Sequence, residues 1–545
     1  MRFSLAHVLE WANVPLSTLG ASGANARVPF TTVSMSSRPD GWPPMRPGGL
    51  FVAIRGERRD GHDFVADAFS NGAIAALVDH VPTHIAPAVR DGRVRVVDLS
   101  QRGPTHPAPA TSLAGERSDD TAAPVRDAGD GRVPDPGRVP EEGHVLVIVD
   151  PSVGTMATLQ QLGGWWRRRW GRPVVAIAGS VGKTTTKDLV TAVVSAQFRT
   201  LGTAGNLNNE LGLPITLLGL HAEHEVGAVE IGISAPGEMA TFAAIAAPDV
   251  VVMTRIDVEH LEFLRDIETV AYEEGALIAS LPASGTAVLN ADDPRVLAMA
   301  GRTAARVATY GVEAPGAHTR AEDVRSRGVD GVTFRLCHGG KRAEVRLPLA
   351  GRHFVSAALA GAAAGFAMGC GWEAVVSGLE STPTAPRIRV LRPADDFVLI
   401  DDTYNASPAS CLAALELLAE SPGTRVAVLG DMLELGDFGA EAHATVGAHV
   451  PDSADALIAV GPESRATAAA ATAHGLNPFN VMWVPRAADA SDAFDTWRRA
   501  SGVVGPLSVL VKGSRGMRME LATRDLERRA ATTRSAATRR TGERS

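Results

Sequence analysis

Lysine is nearly absent from this chain, and its few positions constrain the fold. Only four of the 545 residues are lysine, against 49 arginines, and two of the four lie in the run Gly-Ser-Val-Gly-Lys-Thr-Thr-Thr-Lys at 179–187. In a phosphate-binding loop, backbone N–H groups surround the phosphates, a compact lysine ammonium reaches the β- and γ-oxygens, and the next hydroxyl contacts Mg²⁺. The pattern predicts the last two roles for Lys183 and Thr184, and a phosphate lining made of Gly179, Ser180, Val181, Gly182 and Thr185.

The residues on either side of this loop predict the secondary structure that such a loop requires. Residues 173–178 form a short apolar run typical of a buried parallel strand, and residues 187–194 continue with a helical pattern. Strand, glycine-rich turn and helix N-terminus thus follow in the order that binds an anion. The strict pattern needs a glycine where Ile177 stands, so only the shorter Gly-Ser-x-Gly-Lys-Thr form is present.

Composition narrows the class of protein. The net charge of −8 gives no reason to expect a nucleic-acid partner, since such binding normally requires a basic face. Cys337, Cys370 and Cys411 are isolated in the sequence, which is typical of reduced thiols in a cytoplasmic protein. The uncharged run 354–372 is mostly alanine and glycine, and it predicts a buried, closely packed helix rather than a membrane insertion.

The order of elements along the chain predicts an α/β protein of three domains. Residues 1–99 alternate strand and helix patterns as a small α/β domain, and residues 100–143 are rich in Pro, Gly, Asp and Arg, which predicts a disordered insertion. Residues 144–382 form the central parallel-sheet domain with the phosphate-binding loop. Residues 383–529 carry strands that end in small or polar residues, as in a Rossmann-like sheet, and the tail 530–545 is predicted to be disordered.

Five motifs carry a resemblance to a known family. They read Gly-Glu-Arg-Arg-Asp-Gly-His-Asp-Phe at 56–64, Gly-Asn-Leu-Asn-Asn-Glu-Leu-Gly-Leu-Pro at 205–214, Asp-Asp-Thr-Tyr-Asn-Ala-Ser-Pro at 401–408, Val-Leu-Gly-Asp-Met-Leu-Glu-Leu-Gly at 428–436 and Val-Lys-Gly-Ser-Arg-Gly-Met at 511–517. In this order they resemble the Mur ligases, and within that family the branch that joins D-alanyl-D-alanine to UDP-N-acetylmuramoyl tripeptide. The resemblance covers nearly all of the chain except 100–143 and the tail.

The resemblance implies an ATP-dependent ligase that works through an acyl phosphate in cell-wall precursor synthesis. It implies that Lys183, His260 and Arg387 are catalytic, and that Asn290, Arg387 and Asp402 join the loop in binding ATP. It also implies a UDP-sugar-binding N-terminal domain. Mg²⁺ would be held by Thr184, Glu230 and His260, and the substrates by Ser37, Arg38, Asp60, Gly61, His62, Asn208, Tyr404 and Asn405. We expect a monomer.

The sequence departs from the family pattern at three places. Mur ligases carry a lysine that reacts with CO₂ to give a carbamate beside a second Mg²⁺, whereas alignment puts Glu274 there and no lysine lies between Lys187 and Lys341. A glutamate supplies the same charge and two oxygens, so Glu274 is predicted as a metal-site residue. The stretch at 351–357 lacks both family asparagines, and Ser36 replaces an aspartate. Two alternatives stay open, namely a ligase for another acid and amine and a catalytically weak nucleotide-binding relative.

Overall fold

The computed structural model describes residues 2–38, 41, 43–56, 59–100, 143–257, 264, 266–382 and 388–542, with the side chains of 20–25, 437 and 533–542 left out. Three separate sheets form the cores of three α/β regions. The predicted three-domain architecture is therefore confirmed. His260, Arg387 and the predicted insertion apart from its two end residues lie outside the described ranges.

The N-terminal region is built on five parallel strands in the order β1-β2-β3-β5-β4. The strands are β1 (Val33–Ser34), β2 (Gly49–Val52), β3 (Ala73–Val78), β4 (Val94–Asp98) and β5 (His144–Ile148), and the helices are α1 (Leu5–Trp11), α2 (Val65–Ser70) and α3 (Ala86–Arg90). The sequence assigned β5 to the central domain, and the structure corrects this. Because β5 pairs with both β3 and β4, it lies inside the N-terminal sheet.

The central region contains a nine-stranded sheet in the order β14-β13-β12-β11-β10-β9-β6-β8-β7, in which β13 pairs antiparallel with both β12 and β14. Its strands are β6 (Val174–Ala178), β7 (Thr200–Gly202), β8 (Val226–Glu230), β9 (Val250–Met253), β10 (Thr286–Asn290), β11 (Arg306–Gly311), β12 (Thr319–Ser326), β13 (Val332–His338) and β14 (Lys341–Leu347). Its helices are α4 (Gly154–Trp170), α5 (Lys183–Ser195), α6 (Gly212–Leu218), α7 (Glu238–Ala246), α8 (Ile267–Ala279), α9 (Pro294–Ala298), α10 (Phe354–Ala367) and α11 (Trp372–Glu380).

The helix that follows the phosphate-binding loop is fixed by a close helix contact. The predicted buried helix is α10, and it packs on α5 through small residues. A Cβ atom added at Gly361 would lie 3.2 Å from Leu189, and one at Gly365 would lie 2.5 Å from a methyl group of Val193. Larger residues at these positions would push α5 and the loop before it away from the sheet.

The C-terminal region has six strands in the order β15-β16-β20-β17-β18-β19, all parallel except the edge strand β15. The strands are β15 (Arg389–Ala394), β16 (Phe397–Asp402), β17 (Thr424–Gly430), β18 (Ala456–Val460), β19 (Val481–Val484) and β20 (Leu507–Lys512), and the helices are α12 (Pro408–Ala419), α13 (Gly439–Ser453), α14 (Ser464–Ala473), α15 (Ala490–Ser501) and α16 (Glu520–Gly542). Helix α16 continues to Gly542, into the tail for which the sequence predicted disorder.

Two predictions about membrane insertion and redox state can be compared with the structure. Each helix within the described ranges is too short or too polar to span a lipid bilayer. The three cysteines are free and buried, in agreement with the predicted reduced thiols.

Candidate active site

The predicted phosphate-binding loop lies between the end of β6 and the start of α5. Gly179 and Gly182 adopt positive φ angles of 119° and 86°. A Cβ atom at Gly179 would lie 2.3 Å from Thr254 Oγ1, so only glycine fits where the loop leaves the sheet. The loop is anchored to the neighbouring strand by the Ser180 N–H, which donates to the Arg255 carbonyl at 2.7 Å.

Lys183 begins the helix and reaches back over the loop. Its Nζ donates to the Ser180 carbonyl at 2.8 Å. Gly232, which follows β8, passes beneath the side chain, and a Cβ atom there would lie 3.7 Å from Lys183 Cε. Ser180 Oγ is buried and, among the described residues, has no hydrogen-bond partner. A buried hydroxyl and an ammonium at a helix N-terminus are suited to an incoming phosphate.

Glu230 lies at the carboxyl end of β8, opposite Thr184. Its Oε1 accepts hydrogen bonds from Thr184 Oγ1 at 2.6 Å and from Asn208 Nδ2 at 2.9 Å. Its Oε2 is buried and has no partner within the part of the chain that the structure describes. A buried carboxylate oxygen without a donor is suited to a cation, and Thr184 and Glu230 together offer the oxygen ligands that Mg²⁺ prefers.

A second lysine, Lys187, is linked to Glu230 through Thr203. Lys187 is buried, and its Nζ donates to the Thr203 carbonyl at 3.0 Å. Thr203 Oγ1 in turn accepts the Glu230 backbone N–H at 3.0 Å. The structure thus gives Lys187 a positioning role that the sequence did not assign, although the scarcity of lysine pointed to it.

Asn208 lies in a loop whose side chains contact both the N-terminal and the central region. Leu207 and Leu211 pack into the core of the N-terminal region, whereas the Asn208 amide turns toward Glu230. A Cβ atom at Gly212 would lie 2.3 Å from the Leu207 carbonyl carbon, which explains the glycine in this motif. The described contact of Asn208 is therefore with the Glu230 carboxylate, while the sequence predicted a substrate contact, which stays a prediction.

Glu274 lies directly beneath the phosphate-binding loop. Helix α8 places it there with only 2% of its surface exposed, and its Oε2 accepts the Gly179 N–H at 3.0 Å. The neighbouring Glu273 accepts the Gly237 N–H at 2.9 Å, so α8 contacts the loops after both β6 and β8. The structure brings Glu274 to the loop, and its predicted role in a metal site stays a prediction.

Asn290 ends β10 and contacts Thr254, which lies beside the phosphate-binding loop. Its Nδ2 donates to the Thr254 carbonyl at 2.9 Å, and its Oδ1 accepts the Asp292 N–H at 3.0 Å. Thr254 is the residue that lies against Gly179. Asn290 therefore shapes the strand end on which the loop rests, and its predicted proximity to adenine stays a prediction.

The C-terminal region contributes a buried ion pair. Lys512 is 2% exposed, and its Nζ donates to Asp402 Oδ2 at 2.6 Å and to the Asn405 carbonyl at 2.9 Å. The sequence assigned Asp402 to ATP and missed Lys512, although this is one of only four lysines. A buried aspartate paired in this way does not present a bare negative charge to phosphates.

The central and C-terminal regions meet close to this pair. Ala350 packs into the apolar core that contains Val398 and Ile400. Desolvation by the surrounding protein, and then the Lys512 ammonium, lower the pKa of His353, so this residue is a weaker base than a free imidazole.

Tyr404 and Asn405 follow β16 at the same sheet edge. Asn405 is exposed, and the Arg515 guanidinium lies 5.3 Å from the centre of the Tyr404 ring. Parallel sheets bind ligands at the carboxyl ends of their strands. The location agrees with the predicted substrate role of Tyr404 and Asn405, which stays a prediction.

The predicted N-terminal site residues also gather at the carboxyl ends of strands. His62 is buried, with Nδ1 2.5 Å from Asp60 Oδ1 and with Nε2 accepting the Asp79 N–H at 3.2 Å. The loop passes so close to β2 that a Cβ atom at Gly61 would lie 2.6 Å from the Ile54 nitrogen. Because both ring nitrogens of His62 are engaged, this residue holds the loop after β2 in place and leaves Asp60 nearer the surface.

Ser37 and Arg38 follow β1. Ser37 is buried, and its carbonyl accepts Asn71 Nδ2 at 2.9 Å, while the Arg38 N–H donates to Ser36 Oγ at 3.3 Å. Ser36 therefore fixes this turn with its hydroxyl. Ser37 and Arg38 lie on the same edge of the N-terminal sheet as Asp60.

Each of the three regions matches a protein-family model. A model described as the Mur ligase middle domain matches residues 177–365, and one described as the Mur ligase glutamate ligase domain matches residues 386–515. A third, described as the Mur ligase family catalytic domain, matches residues 44–104.

Two similar proteins share the same name. The UDP-N-acetylmuramoyl-tripeptide–D-alanyl-D-alanine ligase of Escherichia coli (strain K12) is 31% identical over 486 residues, covering 89% of this chain and 92% of that protein. The ligase of the same name from Bacillus subtilis (strain 168) is 31% identical over 483 residues, covering 88% and 90% of the two chains.

Solved structures agree with these matches. MurF from Acinetobacter baumannii superposes with a TM-score of 0.74 at 25% identity and covers 97% of this chain and 99% of its own. The MurF ligase of Thermotoga maritima, solved in complex with ADP, shares the fold with a TM-score of 0.68 at 23% identity over 92% of this chain and 98% of its own.

Proposed function

We propose that this chain, which belongs to the Mur ligase family, is the ATP-dependent ligase that adds D-alanyl-D-alanine to UDP-N-acetylmuramoyl tripeptide in peptidoglycan precursor synthesis. The observation that carries the proposal is the identity of 31% over about nine-tenths of both chains with ligases of this name. The phosphate-binding loop with its opposed carboxylate, Glu230, supplies the machinery that the activity requires.

The reaction joins two bond exchanges. An oxygen of the tripeptide carboxylate attacks the γ-phosphorus of ATP, the bond to the bridging oxygen breaks, and ADP leaves. The dipeptide nitrogen then attacks the acyl carbon of the resulting acyl phosphate, the bond to the phosphate oxygen breaks, and the nitrogen loses a proton. Phosphate and the amide are the products, so atoms and electrons balance.

The residues of the loop address the electrostatic difficulty of the first exchange, in which two anions meet. We assign the neutralisation of the γ-phosphate to Lys183, whose ammonium lies over the loop, and the phosphate contacts to the backbone N–H groups of residues 181–185, since the Ser180 N–H anchors the loop. Thr184 and Glu230 would hold the Mg²⁺ that neutralises the triphosphate, with Asn208 fixing the carboxylate. His260 and Arg387 remain part of the proposal as residues of the second metal site and the phosphates.

We assign each substrate to the carboxyl edge of one of the three sheets. We assign the UDP-sugar to the N-terminal edge near Ser37, Arg38 and Asp60, and the dipeptide to the C-terminal edge near Tyr404 and Asn405. The tripeptide carboxylate would then lie between them, at the phosphate-binding loop.

A coupled assay of ADP release tests the proposal. With ATP, Mg²⁺, UDP-N-acetylmuramoyl tripeptide and D-alanyl-D-alanine all present, we expect steady ADP release, and omission of either acceptor or dipeptide should stop it. Lys183→Ala should reduce turnover at least about 100-fold, since it removes a cation at the transferring phosphate. Lys341→Ala, which changes an exposed lysine at the start of β14, is the matched control and should retain activity.

Two results would contradict the proposal. Faster ADP release with another amino acid or dipeptide in a substrate panel would identify a ligase for a different amine. ATP binding without turnover under any of these conditions would identify a nucleotide-binding relative instead.

A further inference from the structure

One cation at the carboxyl edge of the C-terminal sheet is held in place without an acidic partner. Arg515 follows β20, and among the described residues its guanidinium makes no ion pair. Its neighbours on this edge are different, because Lys512 is paired with Asp402 and Arg389 with Asp401. The positive charge of Arg515 therefore remains available to an anion from outside the chain.

The backbone that carries Arg515 is tied to the adjacent strand loops. The Ser514 N–H donates to the Asp431 carbonyl at 3.0 Å, and Ser514 Oγ accepts the Leu433 N–H at 2.9 Å. The Met517 N–H closes the turn on the Ser514 carbonyl at 2.8 Å. Arg515 thus projects from a turn with a fixed backbone, which lowers the entropy lost when a ligand binds.

The side chain of Arg515 is also oriented. Its guanidinium carbon lies 5.3 Å from the centre of the half-buried Tyr404 ring, within the range of a cation–π contact. This contact leaves the N–H groups at the edge of the guanidinium available to a planar acceptor. Two parallel N–H groups match the two oxygens of a carboxylate.

We propose that Arg515, backed by Tyr404, forms a carboxylate-binding site for the C-terminal carboxylate of the incoming dipeptide. The assignment rests on the proposed function, in which D-alanyl-D-alanine is the amine substrate. A dipeptide has one amine and one free carboxylate, so a fixed cation at the carboxylate end directs the amine away from Arg515 and toward the acyl carbon. Arg515 is on this view a specificity-determining residue that separates dipeptides with a free carboxylate from other amines.

The test compares D-alanyl-D-alanine with D-alanyl-D-alanine amide, which lacks the negative charge. For the wild-type enzyme, we expect the amide to raise KM about 10-fold to 100-fold. Arg515→Met should raise KM for D-alanyl-D-alanine by a similar factor, abolish the difference between acid and amide, and leave KM for ATP and for the UDP-tripeptide within about twofold. Arg515→Lys should recover part of the discrimination, because it restores the charge without the planar pair of donors.

Arg518→Met is the matched control, since Arg518 is exposed in the same segment and has no ion pair among the described residues. It should keep the wild-type preference for the acid. Full discrimination in Arg515→Met would overturn the assignment. A selective rise in KM for ATP or for the UDP-tripeptide would also overturn it, by placing Arg515 at a phosphate or at the acceptor carboxylate. A wild-type enzyme that releases no ADP with D-alanyl-D-alanine would instead refute the proposed function itself.

Discussion

The carboxylate of Glu274 accepts the backbone N–H of Gly179 at 3.0 Å, so an acidic side chain on α8 is joined to the first glycine of the phosphate-binding loop. The pair links a buried acidic side chain to the loop that we propose receives the phosphates of ATP. A cation near the phosphates would compensate this charge, and the carboxylate requires no modification to carry it.

Bicarbonate dependence tests this role of Glu274. We expect turnover to be the same in CO₂-depleted and bicarbonate-supplemented buffer, because no lysine is available to form a carbamate. Glu274→Gln keeps an acceptor for Gly179 but removes the charge, so it should lower turnover and shift the Mg²⁺ titration while ATP binding changes little. Glu274→Ala should in addition lower thermal stability, because an unpaired buried N–H costs about 1–3 kcal/mol.

A Glu274→Gln variant that matches wild type across the whole Mg²⁺ titration would contradict the metal-site role. Glu274 would then only hold the loop, and Glu274→Ala alone would show a defect.

Asn208 is predicted to act through Glu230. Asn208→Ala removes the amide that fixes Glu230 Oε1, so the Mg²⁺ concentration needed for half-maximal activity should rise roughly 10-fold to 100-fold, as for other residues that orient metal ligands. KM for the UDP-tripeptide should change little. The measurement is a Mg²⁺ titration of ADP release, with Asn206→Ala as a control in the same loop. The reverse pattern, an unchanged Mg²⁺ requirement with a raised KM for the tripeptide, would assign Asn208 to the substrate.

The pair of Lys512 and Asp402 is predicted to stabilise the C-terminal domain. Lys512→Met leaves a buried carboxylate without its partner, which typically costs about 3–5 kcal/mol. Combining it with Asp402→Asn removes both charges and should recover much of the lost melting temperature, but not the activity. Thermal melting and ADP release on the two single variants and the double variant check this. Full activity in the double variant would show that the pair is only structural.

The position of β5 refines a prediction about the insertion. Deleting residues 100–143 should leave folding and activity largely intact, because their composition argues against a packed role. However, β4 and β5 are parallel neighbours. A linker that replaces the insertion must therefore run from the end of β4 back to the start of β5, a distance of roughly 16 Å along a five-residue strand. A linker of about 15 residues should therefore support folding, and a two-residue joint should not. Soluble yield and melting temperature distinguish the two, and loss of folding with the long linker would show that the insertion is structural.

The contacts that the sequence predicted are mostly local. The loop from Gly179 to Thr185 was predictable because its strand, turn and helix are consecutive, and the strand run before it fixes which way the loop faces. Glu230 was implied by the family resemblance, because a carboxylate at a strand end often only caps the strand. The inference about the loop depends only on neighbouring residues.

The contacts that the sequence missed depend on strand order. Lys512 meets Asp402 across 110 residues because β20 inserts beside β16, with these two residues in register. The pattern of each strand alone does not give that order. Strand order also explains why the sequence assigned β5 to the wrong domain, because its partners β3 and β4 precede the insertion. It likewise explains why the contact of Asn208 with Glu230 was missed.

Isotope transfer tests the central claim most directly. UDP-N-acetylmuramoyl tripeptide labelled with ¹⁸O in its acceptor carboxylate is incubated with the enzyme, ATP, Mg²⁺ and D-alanyl-D-alanine, and the phosphate and nucleotide products are analysed by mass spectrometry. An acyl phosphate predicts that one ¹⁸O atom passes from the carboxylate into inorganic phosphate for each amide bond formed, with ADP unlabelled. Amide formation with unlabelled phosphate, or with the label in AMP, would contradict it.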